Sequence, residues 1–153
     1  MDRRTLQIPA TGMLLATSVA LTPPPAQAQD AAETTVDTIS VLEGVYTEEQ
    51  AAQGDELFQV ECAACHPPTE FSGRAFEVAW DDTPVWDLYQ LVATTMPQDR
   101  PGSLSEEEYA AVIAYILELN RFPPGEEELS SHQDTLSAII IEPAPDEDGD
   151  PDG

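Results

Sequence analysis

The chain contains no lysine, and its five basic side chains are all arginines, set against 30 aspartates and glutamates for a formal net charge of −25. Such a surface repels nucleic acid and anionic lipid, and neither is expected as a partner. It suits an electropositive protein partner, plain solubility, or a high-salt medium in which self-repulsion is screened. Long apolar runs are also missing. The stretch from Gly12 to Leu21 is too short to cross a bilayer, and no later segment approaches the necessary length of about 20 residues, so no membrane span is expected. Histidine and cysteine number two each. Neither a Ser-His-Asp set, a phosphate-binding loop nor a convincing carboxylate dyad can be assembled, and the acidic pairs fall on solvated helix faces or in loops.

Both cysteines lie in one pentapeptide, Cys62-Ala63-Ala64-Cys65-His66. This is the C-x-x-C-H pattern of covalent haem c attachment. Two thiols at this spacing can each add to a haem vinyl group, and the adjacent histidine is placed to coordinate the iron from one face. A structural zinc site needs four ligands, and a thioredoxin-like redox pair needs a βαβ setting. Neither is present: no third cysteine exists, His132 is the other histidine, and the residues before Cys62 read as a helix.

The amino terminus fits the same reading. Arg3 and Arg4 precede the apolar stretch, and Ala26-Gln27-Ala28 offers a small-x-small cleavage site, so residues 1–28 read as a secretory signal peptide. Haem attachment needs an unfolded chain with reduced thiols, which favours export before folding over a twin-arginine route. The expected compartment is a bacterial periplasm. Residues 29–45, rich in Ala, Thr, Asp and Glu, read as a flexible leader, residues 46–141 as one domain with a carboxy-terminal extension, and residues 142–153 as an acidic tail. The alternating Asp and Gly after Pro143 resemble an oxygen-ligand calcium loop but lack the closing glutamate, so a disordered tail is preferred.

Within the domain, Thr47-Glu48-Glu49-Gln50 has the form of a capping box opening a helix that delivers Cys62 at its end. Gly54 weakens that helix unless a second helix packed closely across it uses the missing side chain. Pro67 to Asp82 reads as an irregular loop whose aromatics, Phe71, Phe76 and Trp80, line the haem edge. Thr83 is expected to cap a helix with Pro84 at its first position and a buried stripe of Val85, Leu88, Leu91 and Val92, ending near Met96-Pro97. Ser105, with Glu108, opens a last helix with one apolar face, Tyr109, Val112, Ile113, Ile116 and Leu117, stopped by Pro123-Pro124-Gly125. Leu136 to Ile141 is expected as an extended apolar segment lying against the domain.

The iron's second axial ligand decides between carrier and catalyst. Met96 is the one methionine left after signal removal, and it follows His66 by enough chain to wrap the haem and return on its other face. A thioether there saturates the iron, raises its reduction potential and leaves no substrate site. His132 as ligand, or an open sixth position, are the alternatives. For the haem propionates the available donors are Trp80, Arg100 and Arg74, with Arg100 first because it is nearest to Met96, against a purely surface role.

From Glu48 to about Asn120 the chain resembles class I cytochromes c, which implies an all-α fold of helices wrapped around one covalent haem c. In that family a glycine and an aromatic of the first helix pack against an aromatic of the last, and Gly54, Phe58 and Tyr115 match those roles. Thr95-Met96-Pro97, Pro101-Gly102-Ser103-Leu104-Ser105, Glu108-Tyr109, Ala114-Tyr115-Ile116-Leu117 and Asn120 are more narrowly similar to the cytochromes associated with quinoprotein (PQQ) alcohol dehydrogenases. Two departures stand out: Pro67 and Pro68 follow the histidine where relatives often carry Gly, leaving the acceptor of its Nδ1 proton open, and basic residues are scarce.

The resemblance implies a periplasmic one-electron carrier, not an enzyme. Cys62 and Cys65 would hold the haem, and His66 and Met96 the iron. The donor would be a quinoprotein dehydrogenase and the acceptor a terminal oxidase or another cytochrome. The alternatives are an open-site haem enzyme or gas sensor, and a cytochrome subunit fixed in a dehydrogenase complex.

Overall fold

The computed structural model describes residues 37–143, which form five α-helices and three very short strands: β1 Ile39–Ser40, α1 Glu48–Glu61, α2 Arg74–Trp80, β2 Thr83–Pro84, α3 Val85–Thr95, α4 Glu106–Leu119, α5 Gln133–Ala138 and β3 Ile139–Ile141. The expected signal peptide, the first part of the expected leader and the tail beyond residue 143 lie outside the described residues.

The fold is built on α1 and α4, which pack along each other. α4 has a full capping box, with the Ser105 hydroxyl accepting from the Glu108 amide at 3.2 Å and the Glu108 carboxylate from the Ser105 amide at 2.7 Å. Every residue from Tyr109 to Leu117 is buried, so the expected single apolar face is in fact a helix enclosed on all sides, as its nearly unbroken apolar sequence requires. It ends before Pro123. Arg121 takes a left-handed φ of 64°, and the Phe122 amide returns to the Leu117 carbonyl at 3.3 Å.

α1 meets α4 at Gly54. A Cβ there would penetrate the Ala111 carbonyl and lie 2.9 Å from the Tyr115 Cβ, so the backbones approach to a distance only glycine permits. One turn later Phe58 tilts against Tyr115 with ring centroids 5.4 Å apart. This is the expected pairing, and it accounts for the glycine. The expected capping box of α1 is only half formed: the Thr47 hydroxyl accepts from the Gln50 amide at 3.1 Å, but the Gln50 side chain is buried elsewhere. Its amide nitrogen donates to the Leu129 carbonyl at 2.9 Å and its oxygen accepts from the Leu129 amide at 2.7 Å, tying the carboxy-terminal extension to α1.

Four expectations about the connecting segments are corrected. Pro67 to Asp82 is not an irregular loop: Pro68–Phe71 forms a 3-10 turn, with proline tolerated at its first position, and α2 follows. Thr83 and Pro84 do not begin a helix but pair as β2 with β3, and α3 starts at Val85. The leader boundary also moves, because Ile39–Val45 belongs to the fold. β1 pairs in parallel with β3, Ile39 opposite Ile139, and Val41 is fully buried. The segment expected to be extended from Leu136 is helical to Ala138 before it becomes the central strand of the β1-β3-β2 sheet. Tyr46 closes this side: its hydroxyl donates to the Phe122 carbonyl at 2.5 Å and its own carbonyl accepts from the Gly125 amide at 2.6 Å.

Candidate haem site

A cavity of about 560 Å³ opens between the end of α1, the 3-10 turn, α3 and α4, within the range of about 300–1,000 Å³ usual for cofactor sites. Its wall brings together Cys62, Cys65, His66, Trp80 and Met96. α1 carries the first cysteine to its carboxy-terminal cap, where the Cys62 amide donates to the Phe58 carbonyl at 2.9 Å. A tight turn then presents Cys65 and His66, whose amides both return to the Cys62 carbonyl at 3.0 Å. Both thiols are free. Burial, and secondarily the Glu61 charge, push the Cys62 thiol above its ordinary pKa.

The Met96 side of the cavity is held from two directions. Met96 caps α3, its amide donating to the Val92 carbonyl at 2.9 Å, and its carbonyl accepts from the Tyr109 hydroxyl of α4 at 2.7 Å. Tyr109 is buried, so this anchor belongs to the core. Leu91 and Val92, expected in the buried stripe of α3, line the cavity instead, and Leu91 is 51 % exposed because it faces that space. Tyr89 takes the buried position. Of the three loop aromatics, Phe71 and Trp80 line the cavity; Phe76 does not, but packs in the core near Phe122 at 6.4 Å.

Arg100 is placed beside the cavity rather than on its wall. Its guanidinium donates to the Glu61 carboxylate at 2.6 Å and lies 3.5 Å from Asp99, and both acids line the cavity. Glu61 and Asp99 raise its already high pKa further. Arg74, at the start of α2, and His132, ahead of α5, are exposed and outside the lining. Trp80 is thus the propionate candidate that reaches the cavity itself.

Two residues of the site have roles beyond those the sequence reading gave them. Glu70 lies 3.1 Å from the Nδ1 of His66. Asn120, buried, accepts from the Gly73 amide at 2.9 Å and donates to the Phe71 and Ile116 carbonyls, each at 2.8 Å, fastening the 3-10 turn to α4. The motif Pro-Pro-Thr-Glu was a usable signal for the first, since a turn after His66 puts Glu70 at an i, i+4 position; the second depends on tertiary packing alone.

The donor set fits covalent haem c. Two thiols, an imidazole and a thioether converge on one largely apolar cavity wall, while Leu91 stands exposed as an apolar side chain that a flat apolar ring system would cover. Residues 49–116 match the family described as cytochrome c oxidase, cbb3-type, subunit III. Neither the curated proteins nor the solved structures yield a match. The matched segment runs from the first turn of α1 through the cavity to the last turn of α4, and so takes in every residue that lines the cavity. Residues 49–116 thus carry a cytochrome c domain, the described helices with their small added sheet fit a class I cytochrome c fold, and the cofactor is haem c bound through Cys62 and Cys65. A domain of this kind is a haem-based electron carrier that works with redox partner proteins. No described helix is long and apolar enough to cross a membrane.

Proposed function

We propose that this protein is a periplasmic one-electron carrier in which His66 and Met96 are the two axial ligands, receiving electrons from a quinoprotein dehydrogenase and passing them to a terminal oxidase or another cytochrome. The observation that carries this reading is that the C-x-x-C-H turn on one element and Met96 on another wall the same cavity. When bound, the cofactor supplies one-electron exchange between Fe(III) and Fe(II). His66 and Met96 would hold the iron and leave no place on it for a substrate. Met96, pinned at its carbonyl by Tyr109, is the residue that would close the second direction.

The export-type amino terminus with Arg3, Arg4 and Ala26-Gln27-Ala28 supports the periplasmic assignment. The formal charge of −25 and the carboxylates of Glu61, Glu70 and Asp99 around the cavity favour a partner with a basic docking face, and such an association weakens with salt.

A second reading follows from the family match, whose description is that of an oxidase subunit. The domain would then be a fixed relay in a membrane complex, of oxidase or dehydrogenase, in place of a free shuttle. Purification of the holoprotein from its native membranes and periplasm at low salt separates the two: a shuttle is recovered alone in the soluble fraction, a fixed subunit with its complex. Rapid mixing of the reduced protein with carbon monoxide tests the carrier function itself. Slow or absent binding is expected, and fast binding would mean an open iron and a catalytic or sensing role.

A further inference from the structure

His66 is followed by two prolines, and their effect is local and specific. Pro67 lies at φ −68° and ψ 143°, and the chain then winds into the 3-10 turn, in which the Glu70 amide donates to the Pro67 carbonyl at 2.9 Å. That bond swings the Glu70 side chain back over the turn it has just left. Its carboxylate oxygen comes to 3.1 Å from the His66 Nδ1. The Phe71 ring also stands edge-on to the imidazole with centroids 5.5 Å apart, and Asn120 anchors the Phe71 carbonyl to α4. The imidazole therefore contacts both a carboxylate and an aromatic ring that is itself fastened to the core.

We propose that Glu70 is the positioning residue of the axial histidine: its carboxylate accepts the His66 Nδ1 proton, fixes the ring's tautomer and orientation, and lowers the iron's reduction potential relative to a neutral acceptor. This rests on the proposed ligation by His66. An ionised carboxylate can only accept, so the proton must sit on Nδ1, which leaves the lone pair of Nε2 for the metal. A carboxylate partner on the distal ring nitrogen raises the basicity of a ligating histidine, and a more basic ligand favours the oxidised metal. The Glu70 side chain is 52 % exposed and His66 29 %, so water and salt screen the bare charge and the directional bond carries the effect. A tenfold change in the balance of the two oxidation states corresponds to about 59 mV for one electron.

The test uses the intact holoprotein and three variants, Glu70→Gln, Glu70→Ala and Asp99→Asn. Asp99 supplies a control, since it lines the same cavity and its loss removes one charge without touching His66. The reduction potential is expected to rise in Glu70→Ala, less in Glu70→Gln, whose amide oxygen still accepts the proton, and least in Asp99→Asn. In proton NMR of the reduced form, the His66 Nδ1 proton should exchange with solvent slowly in wild type and Glu70→Gln and faster in Glu70→Ala. A wild-type potential and exchange rate in Glu70→Ala would overturn the proposal, as would an equal rise in Asp99→Asn. Failure of the underlying ligation has a different signature: a His66→Ala protein whose oxidised spectrum stays that of wild type.

Discussion

The Tyr109 hydroxyl of α4 donates a 2.7 Å hydrogen bond to the backbone carbonyl of Met96, joining the central buried helix to the residue that caps α3 on the cavity wall. Met96 is thereby held by its own backbone and not only by packing. Tyr109 also stands edge-on to Tyr89 at 6.3 Å, which fixes its ring, so the hydroxyl has little freedom to follow a Met96 that moves away.

Replacing Tyr109 with Phe should therefore loosen Met96 while leaving the ring packing intact. The expected loss of stability is about 1 kcal/mol for one hydrogen bond. The sharper expectation is a faster loss of the proposed Met96 ligation when the oxidised protein is challenged with imidazole, followed in the visible spectrum.

Gly54→Ala should destabilise the fold at the upper end of the range of about 1–3 kcal/mol typical of overpacking, because the new methyl would meet the backbone of Ala111, which cannot rotate aside. Denaturant unfolding of the holoprotein measures it. A mild cost would mean that α1 and α4 can separate without penalty.

Burial, with Glu118 and Glu48 nearby, pushes the Tyr46 hydroxyl up to about 12. A phenol whose folded pKa exceeds its unfolded value keeps its full stabilisation below about pH 10 and loses it as pH rises through the folded pKa, since the unfolded chain ionises first. Stability should thus fall between about pH 10 and 12. Tyr46→Phe should make that alkaline decline shallower without removing it, because Tyr89 and Tyr115 are shifted in the same direction by burial. At neutral pH the same variant costs about 1–2 kcal/mol, leaving the Phe122 carbonyl without this donor.

Asn120→Ala removes the side chain that bridges the Gly73 amide and the Phe71 and Ile116 carbonyls in a buried setting. A cost of about 2–3 kcal/mol is expected. Because Phe71 packs against His66 and, at 5.8 Å, edge-on against Phe58, the variant should also raise the mobility of the His66 ring, seen as broadened resonances of its imidazole protons.

What the sequence made legible were features set by short-range chemistry. The C-x-x-C-H turn, the capping box at Ser105, the helix delivering Cys62, and the Gly54, Phe58 and Tyr115 contact all follow from spacings within a few turns or from a resemblance in those spacings. The errors lie where distant residues decide. β1, β2 and β3 are two or three residues each, too short to announce themselves, and exist only because the carboxy-terminal extension returns beside Ile39 and Thr83. The Gln50 side chain reads as a cap until Leu129 arrives to claim it. Pro67-Pro68 and Ser72-Gly73 read as breakers of structure, yet proline fits the first position of a 3-10 turn and a glycine at φ 64° can precede α2. The approach of Glu70 to His66 is local as well, but it exists only because that turn is helical.

The most direct test of the central claim is the visible spectrum of the oxidised and reduced holoprotein, wild type beside Met96→Ala, read at the weak far-red band of sulfur-to-iron charge transfer. The account predicts the band in oxidised wild type, its disappearance in Met96→Ala, and carbon monoxide binding by the reduced variant alone. A wild-type protein that lacks the band and binds carbon monoxide as readily as the variant would contradict it.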